Sequence, residues 1–253
     1  MELNETPVVV TGAASGLGAA TARMLAKQGA RVALLDINLA AAQAVAQEIG
    51  GIAIHCDVTD SLSAENAMAA AKAANGPVRM LVNVAGGGVG RRVVGKDGVM
   101  PLEVFTKQVA LNLFGTFNMT RLAAAEMMGQ PELGGGERGV IVSTTSVAAY
   151  EGQVGQAAYA ASKGGIVSLT LQLAREFAQS GIRVMAIAPG IFKTPLLTAA
   201  PIELQESLAN SIPFPKRLGD PEEFADLVCH IATNKYLNGE VIRLDGAVRL
   251  APR

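Results

Sequence analysis

Three side chains between positions 146 and 163 have the types and spacing needed to move a proton at an alcohol carbon. Tyr159 and Lys163 are four residues apart, so on a helix they lie one turn from each other on the same face. A free phenol has a pKa of about 10, but a neighbouring ammonium favours the phenolate, and a nicotinamide cation acts in the same direction. Ser146 ends an apolar run and could hold the oxygen of the reacting alcohol or ketone. The three residues therefore suit proton transfer at a carbinol while hydride leaves for a cofactor.

A tyrosine and a lysine at this spacing are also common as a solvated pair, so the prediction depends on the elements upstream. Val8–Val10 is typical of a buried strand, and it leads into glycines at 12, 16 and 18 and then a helical stretch. Glycines let the backbone approach a pyrophosphate, whose charge the helix N-terminus attracts; a plain strand-to-helix connection is the alternative. The predicted dinucleotide-binding residues of this turn are Gly12, Ser15, Gly16, Leu17 and Gly18.

Acidic residues follow the second and third predicted strands. Asp36 ends the run from Arg31 and lies 18 residues after Gly18, near the spacing of an acid that binds the adenosine ribose hydroxyls. Because a carboxylate there repels a 2′-phosphate, it predicts NAD as the cofactor rather than NADP. Asp57 and Val58 are predicted to flank the adenine. Helix capping is the alternative role for both aspartates.

Further cofactor contacts are predicted where the fourth and sixth strands end, beneath the second ribose and beside the nicotinamide carboxamide. These residues are Val84, Ala85, Gly86, Pro189, Gly190, Phe192 and Thr194. Asn112 lies inside a predicted helix over residues 102–128, where its amide competes with backbone hydrogen bonds. That cost indicates a local role, such as holding a water near Lys163, although an ordinary interior polar residue is the alternative.

Regular alternation of strands and helices predicts an α/β fold with a single Rossmann-type, doubly wound parallel sheet flanked by helices on both faces. We expect one domain over residues 1–253, with a short helical lid at about 195–215 and a segment at 247–253 that crosses a subunit interface. The loop from 86 to 101 carries Arg91, Arg92 and Lys96, which are either solvated charges or contacts for the phosphates of an acidic substrate.

Composition narrows the function classes. The 253 residues are half apolar and carry a net charge of −1, which provides no basic field for nucleic acid. Cys56 and Cys229 lie far apart without metal-ligand spacing, so no metal site is predicted and a reducing compartment is expected. The first residues are acidic rather than basic, and no apolar run reaches the ~20 residues that span a bilayer. We therefore expect a cytoplasmic protein without membrane or nucleic-acid partners.

A set of motifs spread over nearly the whole chain resembles the short-chain dehydrogenase/reductase family. In order, the motifs are Thr11-Gly-x-x-x-Gly-x-Gly18, Asp36, Asn83-x-Ala-Gly86, Asn112, Ser146, Tyr159-x-x-x-Lys163 and Pro189-Gly190. The resemblance implies that Ser146, Tyr159, Lys163 and Asn112 are catalytic. Val84 is a departure, because many members have a second asparagine there; we expect little change in chemistry.

Longer stretches resemble the members of this family that act on 3-hydroxyacyl-CoA. They cover residues 146–159, 187–197, 213–221 and 238–247. The resemblance implies reversible, NAD-linked oxidation of a 3-hydroxyacyl-CoA by a homotetramer, with substrate contacts at Ser146, Gln153, Gln156 and Tyr159. Alternatives are a 3-oxoacyl-carrier-protein reductase, which usually needs NADPH, and a steroid or secondary-alcohol dehydrogenase. A non-enzymatic dinucleotide-binding scaffold is disfavoured by the complete set of catalytic residues.

Overall fold

Seven parallel strands form one sheet in the computed structural model, which describes residues 1–96 and 98–252, apart from the side chain of Leu196. The strands are β1 (Pro7–Thr11), β2 (Arg31–Asp36), β3 (Ile52–His55), β4 (Met80–Asn83), β7 (Gly139–Thr144), β8 (Ile182–Pro189) and β9 (Val241–Leu244). Their order across the sheet is β3-β2-β1-β4-β7-β8-β9. A separate antiparallel pair, β5 (Val94–Gly95) and β6 (Gly98–Val99), lies in the predicted loop.

Helices connect the strands. They are α1 (Gly16–Lys27), α2 (Leu39–Ile49), α3 (Ser61–Asn75), α4 (Leu102–Val109), α5 (Gly115–Met128), α6 (Ala157–Glu176), α7 (Pro195–Thr198), α8 (Ile202–Asn210) and α9 (Pro221–Thr233). Short 3₁₀ turns occupy Val147–Ala149 and Ala178–Ser180. Within the described residues, none of these helices is both long and apolar enough to cross a membrane.

Both faces of the sheet are covered by helices, which confirms the predicted fold class. Strands β1, β4 and β7 are buried along their whole lengths, as expected for β-branched runs in a parallel sheet. On one face they pack with Leu25 of α1 and Phe224 of α9. On the other they pack with Met119 of α5 and Leu173 of α6.

The site is positioned by the order of the strands. The chain runs outward from β1 to β3 and then returns to start β4 on the other side of β1. At such a reversal the following connections diverge to opposite faces, which leaves a crevice at the carboxyl ends of β1 and β4. Ligands of doubly wound sheets bind in that crevice.

The structure adds detail to three of the predicted segments. The predicted helical stretch over 102–128 is helical throughout, and Ala110–Phe114 form a π-helical turn within it, between α4 and α5. In the segment predicted to cross a subunit interface, Val248 is buried against Ile212 and Leu218 of the same chain, and the crossing itself stays a prediction. The predicted lid segment contains two helices, α7 and α8, separated at Pro201.

Candidate active site

The three proton-transfer candidates meet at the carboxyl end of β7. Ser146 caps the 3₁₀ turn that follows the strand, and its hydroxyl accepts a hydrogen bond from the Ala148 N–H at 3.1 Å. Tyr159 and Lys163 lie in the first turns of α6, with the lysine Nζ 5.7 Å from the centre of the phenol ring. Lys163 donates at 2.7 Å to the carbonyl of Thr144, the last residue of β7. Strand β7 and helix α6 together therefore fix the positions of Ser146, Tyr159 and Lys163.

Burial, rather than a neighbouring charge, is the main cause of the pKa shifts of Tyr159 and Lys163. It raises the pKa of Tyr159, and the neighbouring Ser146 hydroxyl offsets only part of that rise. Burial also lowers the pKa of Lys163 to about 8. Without a cofactor the net pKa of Tyr159 is therefore raised by burial, and the lowering of that pKa by Lys163 stays a prediction. A nicotinamide cation beside the phenol would supply the missing positive charge.

Asn112 occupies the π-helical turn and is fully buried. Its amide oxygen accepts from the Gly87 N–H at 3.1 Å, and its amide nitrogen donates to the Gly87 carbonyl at 2.8 Å and to the Gln108 carbonyl at 2.9 Å. A side chain on Gly86 would lie 2.7 Å from the Asn112 oxygen and 3.4 Å from the Lys163 Nζ. Asn112 therefore holds the turn after β4 against the lysine; the predicted water contact stays a prediction.

The glycine turn after β1 is packed too tightly for side chains at two positions. Gly12 has a φ of +64°, and a Cβ there would lie 2.7 Å from the Ala85 nitrogen. A Cβ on Gly18 would collide with the carbonyl oxygen of Gly12. The Thr11 hydroxyl accepts from the N–H groups of Val84 and Ala85, each at 3.1 Å, and so ties this turn to the end of β4.

Asp36 reaches the same turn from the end of β2. Its carboxylate accepts from the Ala14 N–H at 2.9 Å and from the Asn38 N–H at 2.8 Å. Helix α2 is capped by Asn38, whose side chain accepts from Ala41, so the capping alternative for Asp36 does not hold. The carboxylate places negative charge where the adenosine ribose is predicted.

Asp57 likewise does not cap the following helix, because Asp60 does so for α3. One Asp57 oxygen accepts from the backbone and hydroxyl of Thr59 at 2.9 and 2.7 Å. The side chain of Val58 is buried against Gly115, so any contact with adenine would come from its backbone.

The opposite end of the crevice is formed by the segment after β8. A Cβ on Gly16 would lie 3.4 Å from Pro195 and 3.8 Å from Thr194, so this segment lies against the glycine turn. The Phe192 side chain is buried against Gly219, which leaves only its backbone for a ligand. Pro189 and Gly190 continue β8 into this segment, and the Gly190 N–H donates to Leu244 at 2.9 Å.

The two glutamines predicted to bind substrate differ in their contacts. Gln153 donates to the Ala251 carbonyl at 2.9 Å and accepts from the Gln156 amide at 3.4 Å, so its side chain is engaged. The buried side-chain amide oxygen of Gln156, Oε1, has no hydrogen-bond partner among the described residues. Gln156 is therefore better placed than Gln153 to accept a hydrogen bond from a ligand.

Sequence reasoning missed Gln108 and the contacts of residues 248–252. Gln108 is 8% exposed, and its amide nitrogen finds no acceptor in the described part of the chain. A Cβ on Gly88 would lie 3.0 Å from both that nitrogen and the Tyr159 ring. Its position four residues before Asn112 was the available signal, since such residues share a helix face.

These residues fit a dinucleotide. The turn at Gly12 and Gly18 leaves no room for side chains, which brings its backbone to the floor of the crevice. The Ser15 hydroxyl makes no capping bond within the described residues, and the N-terminus of α1 favours a diphosphate. With Ser146, Tyr159 and Lys163 beside the crevice, fold and site define an oxidoreductase of the dinucleotide-dependent, tyrosine-based class.

Comparison with known proteins identifies the family. The family model of short chain dehydrogenases matches residues 6–204. The chain is 51% identical over 248 residues to the 3-hydroxyacyl-CoA dehydrogenase type-2 of Homo sapiens, covering 96% of this chain and 95% of the relative. The protein of the same name from Drosophila melanogaster is 47% identical, with 96% and 97% covered. The chain therefore belongs to the short chain dehydrogenase family.

A solved structure agrees over nearly the whole chain. The crystal structure of 3-hydroxyacyl-CoA dehydrogenase type-2 from Mycobacterium avium has a TM-score of 0.93 and 44% sequence identity to this chain. The match covers 98% of both chains. The Rossmann-type sheet and its flanking helices are thus shared with a crystallographically determined relative.

Proposed function

We propose that this enzyme reversibly oxidises 3-hydroxyacyl-CoA to 3-oxoacyl-CoA with NAD. The observation that carries the proposal is the convergence of Ser146, Tyr159 and Lys163 beside a turn fitted to a dinucleotide. The thioester class is supported by relatives of that name that align over almost their full length.

Bound NAD supplies the acceptor for the hydride that leaves C3 of the substrate. Side chains of the protein itself transfer the proton of the substrate hydroxyl. Ser146 holds the substrate oxygen, and Tyr159, as phenolate, takes the hydroxyl proton. Lys163, mostly an ammonium at pH 7 because its pKa is about 8, favours the phenolate. In the reductive direction the Tyr159 phenol returns the proton to the forming alcohol.

NAD rather than NADP is proposed because of Asp36. Its carboxylate lies beside the Ala14 N–H at the turn where the adenosine ribose would bind. A 2′-phosphate there would meet a like charge, whereas free ribose hydroxyls would donate hydrogen bonds to the carboxylate.

The CoA end is proposed to lie near Arg91, Arg92 and Lys96. The Arg91 N–H donates to the Gly155 carbonyl at 2.7 Å, which places this loop against the segment carrying Gln156. The side chains of Arg91 and Arg92 are exposed and available for phosphate groups.

A homotetramer is also proposed. Large apolar side chains are exposed on α5, α6 and the π-helical turn between α4 and α5, among them Phe114 at 60%, Phe117 at 47% and Leu171 at 46%. Apolar exposure of this kind is typical of surfaces that bind other protein. Light scattering should give four chain masses for the native protein and a smaller mass for Phe117→Asp. A monomeric native protein would contradict the proposal.

We place the enzyme in the cytoplasm, supported by the burial of Cys56 and Cys229 in the core as thiols. Burial raises their pKa values to about 12 and about 11, which keeps both thiols unreactive. Fractionation of the source cells, with immunodetection, would test this placement.

The decisive experiment follows absorbance at the NADH band with acetoacetyl-CoA, with NADH and NADPH in parallel. Rapid oxidation of NADH but not NADPH is expected. A preference for NADPH would overturn the role given to Asp36 and favour a 3-oxoacyl-carrier-protein reductase. No turnover with either cofactor would overturn the thioester assignment and turn attention to steroids and simple alcohols.

A further inference from the structure

Residues Val248–Pro252, here called the strap, lie along residues Tyr150–Gln156, here called the substrate loop. The Leu250 N–H donates to the Glu151 carboxylate at 3.0 Å. The Val154 N–H donates to the Pro252 carbonyl at 3.0 Å, and the Gln153 amide donates to the Ala251 carbonyl at 2.9 Å. Three consecutive strap residues therefore bind one short loop.

The strap is fastened by Arg243 of β9. Its guanidinium donates at 2.8 Å to Glu151 and at 2.8 Å to Asp245, and at 3.2 Å to the Val248 carbonyl. The same group lies 5.4 Å from the centre of the Tyr150 ring, where a cation is attracted to the aromatic face. One side chain thus joins the sheet, the strap and the start of the substrate loop.

Arg243 and Glu151 are partly shielded from water. Their side chains are only 25% and 20% exposed, so the pair is screened less than an ordinary surface ion pair. Val248 anchors the strap from below, where it is buried against Ile212 and Leu218. The hydrogen bond from Arg243 also lowers the pKa of Glu151, which keeps this carboxylate charged at neutral pH.

The contacts of the strap lead through Gln153 to Gln156, whose side-chain oxygen is unpaired among the described residues. The Ala251 carbonyl holds the Gln153 amide, and the Gln153 oxygen accepts from the Gln156 amide at 3.4 Å. This orientation leaves the side-chain oxygen of Gln156, Oε1, buried without a partner among the described residues. Gln156 directly precedes α6, the helix that carries Tyr159.

We propose that the strap, fastened by Arg243, is a positioning element that holds the substrate loop in the conformation that binds the acyl-CoA. The proposal rests on the function proposed above. Arg243 and the strap act through Glu151, Gln153 and Gln156 and take no part in proton transfer.

The proton-transfer residues are held by separate contacts. Ser146 is fixed by the Ala148 N–H and Lys163 by the Thr144 carbonyl, neither of which involves the strap. Loosening the strap should therefore weaken substrate binding while leaving the chemical step and the dinucleotide site intact. General destabilisation would instead lower the active fraction for all ligands together.

The test compares Arg243→Gln with native enzyme. We expect the KM for acetoacetyl-CoA to rise about 5- to 10-fold, as loss of a shielded ion pair predicts, with kcat within about twofold and the KM for NADH unchanged. Arg243→Lys keeps the charge but not the fork of donors, and should recover part of the loss. Arg23→Gln is the matched control, because Arg23 forms an exposed pair with Glu48 on α1 and α2, and it should leave both KM values unchanged.

A double variant tests whether Arg243 acts through the substrate loop. Glu151→Gln should raise the KM for acetoacetyl-CoA, and adding it to Arg243→Gln should raise that KM little further, because both changes release the same contact. Fully multiplying effects, or a fall in kcat with an unchanged KM, would overturn the proposal.

Hydrogen exchange separates this proposal from the assigned reaction. In Arg243→Gln the amides of Val154 and Leu250 should exchange about tenfold faster or more, while amides of β1 and β4 keep their protection. If native enzyme does not turn over acetoacetyl-CoA, the proposed function fails, and this measurement still decides the strap. Unchanged exchange at Val154 would show that Arg243 does not hold the loop.

Discussion

The dinucleotide side and the substrate side of the crevice are built by different kinds of contact. On the dinucleotide side, the turn after β1 lies so close to the turn after β4 that Gly12 could not carry a Cβ. Thr11 joins the two turns by accepting hydrogen bonds from backbone N–H groups. Backbone approach therefore sets the geometry there.

On the substrate side, long polar side chains set the geometry. Glu151, Arg243 and Gln153 connect segments that are about 90 or more residues apart in sequence. Two buried polar atoms on this side, on Gln108 and Gln156, find no partner among the described residues. Polar side chains can be exchanged one at a time on this side, whereas a backbone cradle leaves little room for change.

The difference has a consequence for mutation. A side chain added on the dinucleotide side meets backbone, which cannot move cheaply, so we expect abrupt losses there. A side chain altered on the substrate side removes one of several polar contacts, so we expect graded losses except at the proton-transfer residues themselves.

Tyr159→Phe should have the largest effect on turnover. It should also distinguish the two sides most clearly, because it should lower kcat without weakening NADH binding. Removing the phenol oxygen leaves the partly buried ring in place but removes the group that exchanges the proton, so kcat should fall about 10²- to 10⁴-fold. NADH absorbance with acetoacetyl-CoA measures the loss. NADH binding, followed by its fluorescence, should stay near the native affinity. Near-native turnover would show that another group is the base.

Gly12→Ala should damage the dinucleotide side. The new methyl group would lie 2.7 Å from the Ala85 nitrogen, at a φ of +64° that alanine adopts at a cost. We expect about 2–5 kcal/mol of lost stability in urea unfolding and loss of NADH binding. Gly134→Ala is the control, because a Cβ there meets nothing within 4 Å, and it should be nearly neutral. A Gly12→Ala protein that binds NADH normally would contradict the backbone cradle.

The sequence predicted the dinucleotide side well because its signals are local. Glycine spacing after a β-branched run fixes the turn, and the runs at Val8–Val10 and from Arg31 to Asp36 lie in strands β1 and β2. The same local patterns could not show the π-helical turn at Ala110–Phe114. Gly115, directly after that turn, packs against Val58, which is a contact between distant segments.

The substrate side was harder to predict for the same physical reason. Arg243 and Glu151 are 92 residues apart in sequence, and no rule of sequence spacing predicts that they pair. The rise of the Tyr159 pKa without a cofactor was also not predicted, because a Tyr-x-x-x-Lys motif shows the neighbouring charge but not the burial that opposes it.

Lys163→Met tests how much the buried ammonium of Lys163 lowers the free energy of unfolding. The pKa of Lys163 is about 8 in the folded protein and about 10.5 when exposed, a difference worth about 3 kcal/mol. Below pH 8 both states are protonated, and the folded state carries the whole cost. Between pH 8 and 10.5 only the unfolded chain keeps its proton, so native stability rises with pH.

Replacing Lys163 removes that cost but also the hydrogen bond to Thr144, worth about 1 kcal/mol. The variant should therefore be inactive yet more stable than native protein by roughly 1–2 kcal/mol at pH 7, with the advantage shrinking towards pH 10. Urea unfolding at both pH values measures this difference. Lys72→Met, at an exposed position of α3, should show no such pH-dependent gain. A variant less stable than native protein at pH 7 would mean that solvent reaches the native lysine.

Gln108→Met should have the smallest effect on stability. It tests the boundary between the two sides, because Gly88 lies against both Gln108 and Tyr159. The buried Gln108 amide nitrogen has no acceptor within the described residues, so methionine of similar length should stabilise the protein by about 1 kcal/mol in urea unfolding. Gln205→Met is the matched control: its amide donates to the Ala200 carbonyl at 2.8 Å, so it should lose about 1 kcal/mol. If Gln108→Met destabilises as much as the control, the Gln108 amide is hydrogen-bonded in solution. Of the two buried polar atoms on the substrate side, the Gln156 side-chain oxygen alone would then remain available to a ligand.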